Sequence, residues 1–331
     1  MESVSPPKEI QRFRVDEIRA DNAAQVCSLF ERIFHKPMPV ALWEWKYPAS
    51  GGRGIGVWEG DTLVAHYGGA GTDAVFEGGV VRNVQICDVM VDPSVRQGVR
   101  QQSPFFLAAT HFIERFVGSN KVFLMGYGFP SDRSLRLAKH LGIYAEVGSM
   151  SELDLSAAQT RILDHAYRLL PVVNEEFGKV ASLVDLLWQQ QQASQANTVA
   201  LVKNARRIHY RYVQHPANRY QLVFLQQRIP KRSLALLVLK EESDRLLLMD
   251  VIGDQCHLAL ALRKLAWFCR KFWSKPLVFW YSSVHAERLK LKGVSCKRLP
   301  IVTPANIWTD SPHPDRLLNR WCLTAGDTDF L

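Results

Sequence analysis

Residues 84–116 (VQICDVMVDPSVRQGVRQQSPFFLAATHFIERF) hold the residue types best placed to do chemistry. A β-favouring run containing Val84, Ile86, Val89 and Val91 stops at Asp92-Pro93, and the loop that follows carries Arg96, Gly98 and Arg100. From Pro104, Phe105, Phe106, Ala109, Phe112, Ile113 and Phe116 recur at helical spacing. A loop that opens a helix turns backbone N–H groups and the positive end of the helix dipole toward one point, and two guanidinium groups beside it reinforce the attraction for an anion. A pyrophosphate suits such a site.

The segment resembles motif A of the GNAT acyltransferase superfamily, carried here by Asp88-Val89-Met90-Val91-Asp92-Pro93 and the loop from Arg96 to Phe105. Downstream, residues 121–126 (KVFLMG) resemble the family's next strand. Residues 131–143 (SDRSLRLAKHLGI) resemble its next helix with a closing Leu-Gly-Phe, here Leu141-Gly142-Ile143. In that family the loop amides hold the pyrophosphate of acyl-coenzyme A and a splayed strand pairs with the pantetheine arm. The resemblance therefore implies cofactor contacts from Met90 and Val91 on the strand, from Arg96, Gly98, Val99, Arg100, Gln101, Gln102 and Ser103 in the loop, and from Ser131. It also implies Asp88 as general base. The loop departs from the family's Arg-x-x-Gly-x-Gly pattern, and the tyrosine that many members use to protonate the leaving thiolate is Ala138 here, which turns attention to Tyr127 and Tyr144. His66 and Tyr67, on the preceding strand, are placed to face an acceptor groove. Trp43, Trp45 and Tyr47 read either as an aromatic acceptor wall or as a core stripe.

The implied reaction moves an acyl group, acetyl in the first instance, from acyl-coenzyme A to an amine of a small molecule, an amino acid or a sugar. Three alternatives stay open: a long-chain N-acyltransferase fed by an acidic acyl-carrier protein, a non-catalytic binding module of the same fold, and an aminoacyl transferase of the peptidoglycan-bridge type.

The elements that must position this chemistry follow from periodicity. A first strand is expected over residues 12–18, helices over 21–34 and 37–47, a hairpin over 55–68 and a second hairpin at Gly78-Gly79. Residues 144–155 are expected to close the same sheet, and 157–188 to form a helical connection broken at Pro171. The polar run 189–197 (QQQQASQAN) reads as a linker or an exposed helix end. Beyond it the chain echoes itself: Trp45-Lys46-Tyr47 in Tyr210-Arg211-Tyr212, Asp88-Val89-Met90 in Asp250-Val251-Ile252, and Gly142 in Gly293. The second copy runs from Asp254 into a helix over 258–272 without a phosphate loop. The fold class is α/β (α+β), with two GNAT-like domains, each a mixed, mainly antiparallel sheet flanked by helices. Residues 1–155 form the first domain, 156–198 the connection and 199–331 the degenerate second domain, so one cofactor site is expected, in the first half. The tail from Trp321 is expected to fold back over the junction.

Composition agrees with a globular chain, 47% hydrophobic and 22% charged over 331 residues. No apolar run reaches membrane-span length and the first residues lack a secretory core, which makes a cytoplasmic location the expectation. The six cysteines show no metal-binding or disulfide spacing, so no metal is expected. Residues 1–150 carry 16 Lys+Arg and 16 Asp+Glu, whereas 151–331 carry 25 and 16, so the whole excess of +9 lies in the second half. Such a surface attracts polyanions, whether nucleic acid, anionic lipid or an acidic carrier protein.

Overall fold

A computed structural model of the chain describes residues 12–95 and 102–328. The first sheet is built in chain order from β1 (Arg14–Glu17), β2 (Arg53–Glu59), β3 (Thr62–Phe76), β4 (Gly79–Val91) and β5 (Met125–Gly128). Its pairings are antiparallel except between β4 and β5, which run parallel. Two helices precede β2: α1 (Ala23–Phe34), which buries Ala23, Val26 and Leu29 and ends at a left-handed His35, and α2 (Val40–Lys46). Helix α3 (Pro104–Phe116) starts on Ser103, whose side chain accepts from the Phe106 N–H, with Pro104 in the first turn where its missing donor costs nothing. Its Phe105, Ala109, Phe112, Ile113 and Phe116 pack against the sheet. Helix α4 (Asp132–His140) is capped by Ser131 in the same way.

The next strand, β6 (Tyr144–Asp154), does not close the first sheet as expected. It pairs antiparallel with β12 (Leu277–Ser282) on one side and β13 (Ser295–Asn306) on the other, within a second, seven-stranded sheet. The remaining strands of that sheet are β7 (Tyr167–Val172), β9 (Gln221–Gln227), β10 (Arg232–Glu241) and β11 (Leu246–Gly253), while β8 (Ala200–Leu201) returns to pair with β3. The sheet order is β13-β6-β12-β11-β10-β9-β7, and β13 also packs alongside β5. The two sheets are thus joined through β6, which follows the first sheet in the chain but pairs in the second, and through β8, which returns to the first.

Pro171 breaks no helix. It lies in β7, whose position at the sheet's edge tolerates a residue without an N–H. The glutamine run is not a linker either. It forms part of α5 (Ala181–Ser194), where Gln191 is buried and its side chain accepts from the Gly253 N–H at 3.2 Å. Helix α6 (Ala205–Ile208) and the turn after it carry Tyr210 to Tyr212, and α7 (Leu258–Phe272) covers the second sheet. Leu236, Leu237, Leu247, Leu248 and Ile252 on β10 and β11 have no exposed surface, as central strands covered on both faces require. No helix among the described residues is long and apolar enough to cross a membrane.

Candidate active site

Strands β4 and β5 pair only from Asn83 with Met125 to Ile86 with Gly128, after which β4 continues without a β5 partner. A cleft of about 640 Å³ opens at this divergence. Its wall includes Ile86, Asp88 and Val89 of β4, Gly126 to Ser131, Phe105, Tyr67, Tyr144, and residues of α1 and α2. The second half contributes Asn218, Lys240, Pro304 and Asn306. Among the described residues, no group of three or more His, Cys, Asp or Glu could hold a metal ion.

Asp88 sits in a bulge of β4, between the His66–Met90 and Gly68–Cys87 pairs, with φ +48°. The left-handed conformation, which aspartate tolerates better than most residues, turns its side chain toward α2. There Lys46 Nζ lies 2.8 Å from Oδ1 and the Tyr47 hydroxyl donates to Oδ2 at 2.6 Å, with both charged side chains under one-tenth exposed. The bulge is held from the other side by His66, whose Nδ1 is 2.7 Å from the Asp88 carbonyl oxygen. A carbonyl only accepts, so the proton is on Nδ1 and Nε2 is left bare. Nε2 is buried and has no partner, and burial lowers the imidazole pKa, with smaller opposing effects from Asp88. His66 is therefore a neutral structural residue that does not line the cleft, contrary to its expected position in an acceptor groove. Tyr67, its neighbour, does line it.

The two expected tyrosines both reach the cleft. Tyr144 lies beside Tyr67, hydroxyl to hydroxyl, in the cluster that also buries Ala138, and burial holds its phenol above the ordinary tyrosine pKa. Tyr127 lines the cleft with its ring, but its hydroxyl donates to the Asp327 carbonyl at 3.0 Å. The expected phosphate residues Arg96, Gly98, Val99, Arg100 and Gln101 lie outside the described residues. Gln102 is exposed, and Ser103 is buried as the cap of α3. Met90 is buried in the core that α1 and α2 share with the sheet rather than in the cleft wall, Val91 is half-buried, and Ser131 lines the cleft at the start of α4. Of the aromatic trio, Trp43 and Tyr47 are core residues, and Trp45 stacks on Tyr210.

The second half carries a corresponding arrangement with a different outcome. Strands β11 and β12 pair from Leu246 with Leu277 to Leu248 with Phe279 and then diverge. Tyr212 donates its hydroxyl to Asp250, as Tyr47 does to Asp88, and a buried Lys203 bonds Asp250, Thr324 and Asp327. Burial opposes the charge of Lys203, but the carboxylates of Asp250 and Asp327 outweigh it and raise its pKa. The divergence is filled by the tail. Ser282 N–H donates to the Leu323 carbonyl at 3.0 Å, Thr324 bridges to Tyr281, and Thr324 Oγ1 donates to Asp250 at 2.7 Å. Gly326 packs so tightly that a Cβ there would collide with the Tyr212 hydroxyl and come within 2.7 Å of Asp250 Oδ2.

The two halves meet through Trp45 and Tyr210, whose rings stack at 5.0 Å and 12°. Trp45 Nε1–H donates to the Tyr210 carbonyl at 3.2 Å, and the Tyr210 hydroxyl donates back to the Trp45 carbonyl. Each residue thus gives the other the same kind of contact, as paired positions around a two-fold axis do. Lys46, Lys203, Thr324 and Asp327 went unread as partners of the two aspartates. The echo of residues 45–47 in 210–212 was the available signal for the tyrosines and for Lys46, and nothing comparable marked Lys203.

Residues 14–102 match the acetyltransferase (GNAT) domain model. Among solved structures with the same fold is a conserved protein of unknown function from Enterococcus faecalis V583, described as a probable N-acyltransferase. It has a TM-score of 0.67 and 10% identity over 88% of this chain and 71% of that one. A GCN5-related N-acetyltransferase from Anabaena variabilis ATCC 29413 has a TM-score of 0.66 and 14% identity over 90% and 73%. Another from Kribbella flavida has 0.62 and 17% over 88% and 70%. No curated protein matches the sequence significantly. The chain has the GNAT fold, and its residues 14–102 are similar to the acetyltransferase (GNAT) domain family.

Proposed function

We propose that the protein transfers an acyl group, acetyl in the first instance, from acyl-coenzyme A to an amine of a small molecule, amino acid or sugar. The observation that carries this reading is the open cleft where β4 and β5 diverge, whose counterpart between β11 and β12 is filled by the chain's own tail. The two halves are read as tandem copies, a division supported by the Asp88–Tyr47 and Asp250–Tyr212 pairs, with one working site per chain.

The thioester supplies an activated carbonyl. The edge of β4 beyond Ile86 offers backbone groups to the pantetheine arm and N–H donors to the carbonyl oxygen as it gains charge. The N-terminal end of α3 and the loop before it, with Arg96 and Arg100, suit the pyrophosphate, and Ser131 borders the same space. Lys46 and Tyr47 hold the Asp88 carboxylate at the cleft wall, and its remaining lone pairs accept the amine's proton. Tyr144, kept protonated by burial, gives its proton to the departing thiolate in place of the tyrosine replaced by Ala138.

Calorimetric titration with coenzyme A, acetyl-coenzyme A and a long-chain acyl-coenzyme A tests the reading. Micromolar binding is expected, lost in Val89→Trp, which fills the cleft, and weakened in Arg96→Ala/Arg100→Ala. The chain length bound most tightly then directs an amine screen. Absence of binding by all three compounds overturns the proposal.

A further inference from the structure

Three large aliphatic side chains stand nearly uncovered at one end of the second sheet. Ile162 and Leu163, in the turn before β7, are 89% and 78% exposed, and Ile229, in the β9–β10 turn, is 88% exposed. The two turns are tied together, because the Arg228 N–H donates to the Ala166 carbonyl at 2.9 Å just beyond the Tyr167–Gln227 pair. Single exposed aliphatic residues are ordinary on any protein surface, but three on two joined turn tips form a patch that asks for an occupant.

Cations surround the patch. Arg161, Arg228, Lys231 and Lys271 are exposed, and Arg168 spends its guanidinium on the neutral Gln226. Helix α7 borders the patch through Trp267, whose ring lies edge-on to His165 at 6.4 Å with Lys271 Nζ 5.5 Å from its centroid. Phe272, 59% exposed, follows on the same helix. The one carboxylate in residues 161–168, 226–232 and 263–272 is Asp164, and it is buried and bound through both oxygens by Arg263 at 2.9 Å.

The combination selects among partners. A soluble polyanion would engage the cations and leave the aliphatic tips in water, whereas an apolar protein face would cover the tips and leave the cations undischarged. A bilayer surface with anionic headgroups takes both, since apolar tips enter the boundary of the acyl region while Lys and Arg stay among the phosphates. We propose that the protein docks peripherally on anionic lipid through the turns at Ile162-Leu163 and Ile229. The docking is independent of the acyl-transfer reading, and it places Arg161, Arg228, Lys231 and Lys271 against the membrane.

Flotation of the full chain with vesicles tests the proposal, comparing phosphatidylcholine alone with phosphatidylcholine containing about one quarter phosphatidylserine. Binding is expected on the anionic vesicles and at least about tenfold weaker on the neutral ones. Ile162→Ser/Leu163→Ser/Ile229→Ser and Arg228→Glu/Lys231→Glu should each weaken anionic-vesicle binding by about tenfold or more. Unchanged thermal melting of each variant shows that the surface, and not the fold, has been altered. Absence of binding to anionic vesicles, equal binding to neutral ones, or undiminished binding by the serine variant overturns the proposal, the last by reducing the patch to a general polyanion surface.

Discussion

Replacing Asp88 by asparagine removes the charge from a pair whose side chains are only 5% and 9% exposed. Lys46, a buried ammonium, then meets a neutral amide where the carboxylate was, and Tyr47 keeps at most one acceptor at this side chain. Breaking one side of such a pair costs about 3–5 kcal/mol, and the retained amide oxygen puts this case at the lower end. Replacing both partners, as in Lys46→Met/Asp88→Asn, removes the buried ammonium together with the carboxylate, keeps at position 88 a residue that tolerates the left-handed backbone, and should recover part of the loss. Denaturant unfolding of the parent, Asp88→Asn, Lys46→Met and the double variant forms a thermodynamic cycle, in which a coupling of about 2 kcal/mol or more is expected. Should Asp88→Asn unfold within about 1 kcal/mol of the parent, Lys46 is not held by a buried carboxylate and the account of the bulge fails.

Tyr144→Phe should lower the rate of acyl transfer by roughly 10²-fold with coenzyme A affinity unchanged; an unaltered rate assigns the acid elsewhere. Burial and then Arg211 lower the His215 pKa to about 3, and burial and then Arg288 lower that of His285 to about 4. Below the ordinary value of 6.5 the unfolded chain binds protons that the folded one refuses, so stability should fall as pH drops from 6.5 toward 4, by about 1–2 kcal/mol per histidine at pH 5. His215→Asn keeps an acceptor for the Ala217 and Asn218 N–H groups and should flatten that slope, as acid titration of the unfolding free energy will show. Gly326→Ala should cost about 1–3 kcal/mol by overpacking the tail against Tyr212 and Asp250, and an unchanged melting temperature would contradict the tail's position.

Much of the first half was legible because its signals are local. The turn Gly60-Asp61 between β2 and β3, the Asp-Pro stop after β4 and the spacing of α3 each depend on neighbours within a few residues. The fate of residues 144–154 was not legible, since their partners are residues 277–282 and 295–306, and nothing within the strand states which sheet it will join. Pro171 misled for a related reason: its effect depends on whether its strand lies at an edge, which topology alone decides. For the site, tyrosines 127 and 144 were placed at the cleft from their positions around α4. His66 was misplaced because the bulge at Asp88 draws its imidazole to a backbone carbonyl. Lys46 gains its role only when a carboxylate from another strand is set against it, a contact that no local pattern records.

The position of β6 between β12 and β13 bears on how the chain is made. A growing polypeptide ordinarily completes its first unit while the next is still on the ribosome. Here β6 emerges early but finds both of its neighbours only after β12 and β13 have followed, and β13 is also the strand that packs alongside β5. Residues 144–154 must therefore wait, unpaired, through the synthesis of roughly half the chain, which is the long sequence separation that slows folding and exposes strand edges. Neither half should fold when expressed alone, and a nascent chain halted before β13 is the form in which a chaperone would be expected to meet this protein.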